Sequence, residues 1–277
     1  MVERLRCPVC GEGLRLAPAG TSQALRCPRR HSFDIARQGY VNLLTGRAPH
    51  SGDTAEMVAA RADFLAAGHY DVISAALADA AQAADDAYPL VVDAGAGTGR
   101  HLAAVLTAVP TAVGLALDIA KPALRRAARA HPRVTAALAD TWQRLPLADA
   151  SAALVLNVFA PRNGAEFRRV LAPDGRLLVV TPATDHLTEL VAALGLLRVD
   201  PAKADRVAAS LAGHFTEEST TVHRQELALS GREVATLVGM GPSAWHTDPA
   251  GLAARIDALG EPVRVTVAVR LGAYRPA

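Results

Sequence analysis

The sequence predicts an α/β protein: a small N-terminal zinc ribbon joined to a larger, doubly wound parallel sheet. Three observations predict this. All three cysteines fall within the first 27 residues, and a histidine follows the last of them at metal-ligand spacing. From residue 89 to residue 183, short apolar runs alternate with helical segments. The first of those runs ends in an acid and a glycine-rich turn, and the next two also end in acids.

The ribbon comes first in the chain. Cys7, Cys10, Cys27 and His31 follow the pattern C-x2-C-x16-C-x3-H. Each half can present two ligands from one turn. Between them, LRLAPAGTSQALR places a turn signal at Pro18, Ala19 and Gly20 between two short apolar runs, which predicts a hairpin. Three cysteines cannot close a disulfide set. A Cys3His set is a closed tetrahedron, hence structural, and its imidazole favours zinc over iron. A module of about forty residues buries little core, so metal binding supplies most of its folding energy. Chelation is therefore expected to unfold residues 1–40 and leave the rest folded.

The first fifty residues hold eight arginines and three acids, whereas the remainder carries a small acidic excess. A basic module on a weakly acidic body suits a polyanionic partner; solvated face charge is the alternative reading. TGRAPHSGDT predicts a linker over roughly 45–53, which divides the chain into domains 1–45 and 46–277. No apolar run has membrane length, and the N-terminus carries Glu3, Arg4 and Arg6 instead of a signal-peptide core. A soluble, cytoplasmic protein is expected.

From Thr54, AEMVAARADFLAAGHY has helical spacing at Met57, Ala60, Phe64 and Leu65, and a second helix is expected over 71–84. Strands are then expected at 89–97, 112–118, 134–140, 151–160 and 175–183. The helices between them fall at 100–108, at 121–130 with Pro122 in its first turn, and at 165–173, stopped by Pro173. Near-continuous apolar strands in βαβ order imply a parallel sheet covered on both faces. After helices near 186–212, residues 220–230 and 263–275 alternate with period two and predict a late antiparallel pair at one end of the sheet.

The glycine loop reads Asp93-Ala-Gly95-Ala-Gly97-Thr-Gly99-Arg100-His101. It is not G-x-G-x-x-G, because Arg100 stands where the third glycine would fall, and no G-K-[ST] follows. Its D-x-G-x-G-x-G spacing resembles motif I of class I S-adenosylmethionine-dependent methyltransferases. There the helix opening at Arg100 and His101 turns free N–H groups toward the methionine carboxylate. Asp118, ending the next strand, is placed to accept bonds from a ribose diol, and Asp140, ending the third, to hold an adenine amino group.

The ribbon, FDIARQGYVNLL (33–44), GDTAEMVAARADFLAAGHY (52–70), motif I, NVFAPRN (157–163) and MGPSAWH (240–246) occur in this order. Together they resemble the 23S rRNA guanine-N1 methyltransferases of the RlmA group, over essentially the whole chain, and look closest to its tylosin-resistance branch. The resemblance implies a zinc ribbon on a Rossmann-like class I methyltransferase domain. It implies zinc on Cys7, Cys10, Cys27 and His31, and S-adenosylmethionine on the motif I residues Asp93, Gly95, Gly97, Gly99, Arg100 and His101 and on Asp118, to which the strand-end reading adds Asp140. The implied substrate is a guanine in the helix 35 loop of 23S rRNA, and a homodimer is an expectation because members of the group are described as dimers.

Guanine N1 carries a proton and is a poor nucleophile, so the base must be splayed out, held in line and helped to lose that proton. Asn157, at the end of the fourth strand, is a candidate reader of the guanine edge. Phe159 is a candidate stacking partner, and Arg162 a candidate for a phosphate or the O6 enolate. Trp245 is a candidate second stacking wall. A turn former (Asn157) and packing residues (Phe159, Trp245) are the plain alternatives. Arg26, Arg29, Arg30 and Arg37 are expected to meet rRNA phosphates. The competing function is methylation of a small molecule, with the ribbon as a docking element.

Overall fold

The computed structural model describes residues 1–46, 52–82, 90–198, 200, 202–241 and 249–277. Most of the expected linker, the end of the expected second helix and Trp245 lie outside the described residues. Among the described residues, no helix is long and apolar enough to cross a membrane.

The expected hairpin forms from β1 (Arg15–Ala19) and β2 (Ser22–Arg26), in the register Arg15↔Arg26 to Ala19↔Ser22. Gly20 turns between them at φ +61°. A third strand, β3 (Ser32–Asp34), pairs antiparallel with β2, which completes a three-stranded ribbon. The chain then leaves the ribbon as β4 (Tyr40–Asn42).

Helices α1 (Ala55–Ala66) and α2 (Asp71–Gln82) follow, α1 capped by the Thr54 hydroxyl, which accepts the Met57 N–H. The alternation then runs β5 (Leu90–Ala94), α3 (Arg100–Ala108), β6 (Val113–Asp118), α4 (Lys121–Ala127) and β7 (Val134–Leu138). It continues with β8 (Ala152–Val158), α5 (Gly164–Val170) and β9 (Leu171–Pro182). After α6 (Thr188–Leu194) and α7 (Lys203–Leu211) comes β10 (Phe215–Leu229), then α8 (Gly231–Gly239), α9 (Pro249–Asp257) and β11 (Val263–Pro276).

One prediction needs correction. The helix expected at 165–173 ends at Val170, and Pro173 lies inside β9. The β8–β9 register shifts between Ala152 and Leu154, so the segment around Pro173 is irregular and tolerates a residue with no N–H to donate. The sequence reading also missed α8 and α9, which separate the two late strands.

The large sheet has the order β10-β11-β9-β8-β5-β6-β7-β4, parallel from β9 to β4 and antiparallel at β10 and β11. Successive strands β5, β6 and β7 step one way; β8 then returns to the other side of β5. Strand order therefore reverses between β5 and β8, where an open α/β sheet forms its ligand crevice. Motif I leaves the end of β5, and NVFAPRN leaves the end of β8.

The ribbon is docked onto this sheet. Strand β4 pairs with β7, Tyr40 opposite Ala136, so a segment of the expected 1–45 domain forms the edge of the large sheet. Leu5 bridges to Leu147, the Arg6 N–H donates to the Pro146 carbonyl (3.0 Å), and the Ala148 N–H donates to the Arg4 carbonyl (2.9 Å). Leu5, Leu14, Leu25, Val41 and Leu43 share one buried cluster with Leu90, Val92, Leu115 and Phe167. Arg169 of α5 donates to the carbonyls of Leu145 (2.9 Å) and Leu147 (2.8 Å) and pairs with Glu166 and Asp149. The segment that carries the ribbon is thus tied to the helix that follows NVFAPRN.

Candidate functional site

The four ribbon ligands converge. The donor atoms of Cys7, Cys10, Cys27 and His31 lie within 4.8 Å of one another. Cys10 and Cys27 Sγ are 3.7 Å apart, and His31 Nδ1 stands 3.5 and 3.4 Å from Cys7 and Cys27 Sγ. A tetrahedral zinc with normal bond lengths sets edges of about 3.8 Å between sulfurs and about 3.6 Å from sulfur to nitrogen. The donor set therefore fits zinc, with His31 binding through Nδ1. Tight turns present the ligands: the Gly11 N–H donates to the Cys7 carbonyl (2.8 Å), and the Arg30 N–H to that of Cys27 (2.9 Å). Gly11 and Arg30 both have left-handed backbone, at φ +76° and +68°.

Motif I is a cradle that side chains would fill. A Cβ on Gly95 would come within 2.4 Å of Ala160 Cβ, and one on Gly99 within 2.9 Å of Ala127 Cα; both glycines have positive φ. Asp118 shapes the loop: its Oδ2 accepts the Gly97 N–H (2.8 Å) and its Oδ1 the Ala120 N–H (2.7 Å). Asp93 is buried at the end of β5, and its Oδ1 has no partner among the described residues. Burial, with Asp118 nearby, raises its pKa to about 8. Asp140, two residues beyond β7, accepts the Trp142 N–H on Oδ1 (2.9 Å), and its buried Oδ2 has no partner among the described residues. Two partnerless carboxylate oxygens around a glycine cradle suit a ligand rich in N–H and O–H donors.

The side chains of Arg100 and His101 turn away toward α2. Arg100 pairs with Asp71 (2.9 Å), and His101 Nδ1 meets Ser74 Oγ (2.9 Å). Burial holds the His101 pKa down to about 4, so the imidazole is neutral. What these residues leave to the cradle is their backbone N–H groups in the first turn of α3.

At the end of β8, Asn157 is fully buried. Its Nδ2 donates to the carbonyls of Ala94 (3.1 Å) and Pro161 (2.8 Å), and its Oδ1 accepts from Arg162 Nη1 (3.5 Å). The amide expected to read a base edge is committed to tying the β5 and β8 loops together. Arg162 also donates to the Ala160 carbonyl (3.3 Å), and its buried Nε has no partner among the described residues. Phe159 is 43% exposed and held at φ +51°, an uncommon conformation for a bulky residue.

Sequence reasoning missed the partners of Phe159. Its ring centroid lies 6.2 Å from Tyr70 and 6.0 Å from His186. The Ala268 N–H donates to His186 Nδ1 (3.2 Å), so the neutral ring carries its proton on Nε2, 3.4 Å from the Tyr70 hydroxyl. Burial lowers the His186 pKa to about 4 and raises that of Tyr70. Tyr70 ends a stretch quoted for the family resemblance, the one signal that could have found it. Trp142 was also missed: it is 55% exposed beside Asp140, and its carbonyl accepts from Asn163 Nδ2 (3.1 Å). A cleft of about 660 Å³ runs from the metal turn to Asp140, lined by Arg6, Val9, Thr45 and Arg144 among others. Arg26, Arg29, Arg30 and Arg37 are all exposed on the ribbon.

Residues 5–51 match the family model of the RlmA N-terminal zinc ribbon, and residues 91–175 match a methyltransferase-domain model. A Micromonospora griseorubida chain that carries the name of a 23S rRNA (guanine-N1)-methyltransferase is 69% identical over 100% of this chain and 98% of its own. The 23S rRNA (guanine(748)-N(1))-methyltransferase of Streptomyces fradiae is 51% identical over 100% and 98%.

Chelation by EDTA is expected to abolish amide protection across β1–β3 while β5–β9 keep theirs, as read by hydrogen exchange; loss in both would show that the sheet depends on the metal. Asp93 supplies a second prediction. The folded chain holds its proton up to about pH 8, whereas an unfolded aspartic acid releases it near pH ~4. Between these values the unfolded state binds fewer protons, so stability falls as pH rises. The gain in melting temperature from Asp93→Asn should therefore be larger at pH 8 than at pH 5, and equal gains would mean that Asp93 titrates normally.

Proposed function

Because the chain belongs to the 23S rRNA (guanine-N1)-methyltransferases, we propose that it methylates N1 of a guanine in the helix 35 loop of 23S rRNA, using S-adenosylmethionine. The observation that carries this reading is the carboxyl edge of the sheet, where a glycine cradle and the unpaired oxygens of Asp93 and Asp140 share one edge with the exposed, left-handed Phe159, on a body bearing a basic ribbon. The name of the Streptomyces fradiae relative supports guanine 748 as the target, and with it protection against macrolides of the tylosin type. The working compartment is the cytoplasm, where ribosomes are.

S-adenosylmethionine supplies an electrophilic methyl group. Gly95, Gly97 and Gly99 would let it lie against backbone, Asp118 would accept from its ribose, and the free oxygen of Asp140 would accept from its adenine amino group. Asp93 would stand toward its sulfonium-bearing end, and that positive charge would favour the ionised carboxylate that burial alone disfavours. Phe159, backed by Tyr70 and His186, stacks on the splayed guanine. Arg162 Nε–H, which has no partner among the described residues, would donate to O6, where negative charge would collect as N1 gives up its proton to water. Asn157 acts one step back, as a positioning residue that holds both loops in register. The ribbon arginines and the cleft beside the metal turn hold rRNA phosphates, fixing the hairpin while the sheet edge does the chemistry.

Primer extension on 23S rRNA tests the reading directly. After incubation with the protein and S-adenosylmethionine, a methyl on N1 blocks Watson–Crick pairing, so reverse transcriptase should halt one nucleotide before guanine 748. No stop on rRNA or on ribosomal subunits, with cofactor binding demonstrated, would shift the reading to a small-molecule acceptor. Binding to a helix 35 hairpin should weaken steeply with salt, and replacing Arg29 and Arg30 by alanine should flatten that slope by about one to two units; an unchanged slope would place the RNA elsewhere.

A further inference from the structure

One ion pair beside motif I has no part in the reading so far. Arg61, on α1, pairs through Nη1 with Asp53, and its Nη2 donates to the Met240 carbonyl (2.8 Å). The two side chains are only 28% and 30% exposed. The guanidinium stands over the glycine loop: a Cβ on Gly97 would lie 3.8 Å from Arg61 Nη1. The segment before α1 is pressed against the same edge, since a Cβ on Gly52 would meet Ala120 Cβ at 2.9 Å, two residues past Asp118. Burial raises the Asp118 pKa most, and the two charges of the pair act on it as smaller, opposed influences, Asp53 raising it and Arg61 lowering it. A half-buried anion and cation thus stand together on the edge that the methionine half of the cofactor must reach.

We propose that Asp53 and Arg61 recognise the amino-acid end of S-adenosylmethionine, an inference that rests on the cofactor reading above. That end is a zwitterion. The Asp53 carboxylate accepts from its α-ammonium, and the Arg61 guanidinium donates to its α-carboxylate. An ion pair is the complement of a zwitterion, so binding changes no net charge at a half-buried site. It exchanges one pairing for two charge-assisted ones. The planar fork of arginine suits a carboxylate better than a lysine ammonium does. The first-turn N–H groups of α3 contribute only partial charge to the same carboxylate; Arg61 contributes a full one. Because Arg61 also holds the Met240 carbonyl, it joins α1, α8 and the glycine loop around one ligand group.

Two ligands that differ only in this group separate the proposal from a structural role. S-adenosylhomocysteine carries the amino acid, and 5′-methylthioadenosine has the same adenine, ribose and sulfur without it. Isothermal titration of both against wild type, Arg61→Ala, Arg61→Lys and Asp53→Asn gives the comparison. Arg61→Ala should weaken S-adenosylhomocysteine about 10- to 100-fold while leaving 5′-methylthioadenosine within about twofold. Lysine should restore part of the loss, and Asp53→Asn should reproduce a smaller share of it. Equal losses for both ligands, or no loss for either, would overturn the proposal and leave the pair as a strut for α1. Should the alanine variant fail to fold, the lysine and asparagine variants give the same ratio. A wild-type chain that binds neither ligand would overturn the cofactor reading itself.

Discussion

Asn157 joins the carboxyl ends of the two strands between which the sheet reverses its order. One buried amide donates to Ala94, the last residue of β5, and to Pro161, in the loop after β8. Removing it would take this donor from the buried Ala94 carbonyl, at about 1–3 kcal/mol, and would cut the tie to Pro161. The same junction is where Gly95 and Ala160 approach so closely that a Cβ would clash. The cradle and the aromatic wall therefore stand at a fixed separation. In-line transfer between two bound groups depends on that separation to within a fraction of an ångström.

Around this joint, charge is arranged by burial. Asp93 is drawn toward its neutral form by burial, and Asp118 is satisfied by two loop N–H groups. His101 and His186 are held neutral in their niches. Asp93 and Asp140 each keep one buried oxygen without a partner among the described residues, while the side chains of Arg100 and His101 serve the α2–α3 contact and leave only backbone N–H groups to the cradle. The site is thus pre-formed for a ligand that brings donors and positive charge, and Phe159, in the left-handed region at φ +51°, stands exposed at its edge.

The ribbon is small, but it is not a loose appendage. Its hydrophobic residues enter one buried cluster with the central strands, and β4 lengthens the sheet itself. A metal-held module fastened in this way carries its exposed arginines in a set orientation to the catalytic edge. An RNA that met those arginines would then need no reorganisation of the two parts of the chain to reach the cradle.

Sequence alone determined what repeats locally. The C-x2-C and C-x3-H spacings, the period of apolar runs and the D-x-G-x-G-x-G loop each lie within a few tens of residues, and each appears in the structure as read. Tertiary structure decided where each side chain found its partner. Tyr40–Asn42 joined β7 across more than ninety residues of chain, Pro173 was absorbed into an irregular strand, and Asn157 turned inward to backbone. Tyr70 and His186 came together behind Phe159, and Arg61 came over Gly97. The physical reason is that periodicity reports which face of an element is buried, whereas a polar group's hydrogen-bond partner depends on what long-range packing brings within about 3 Å of it.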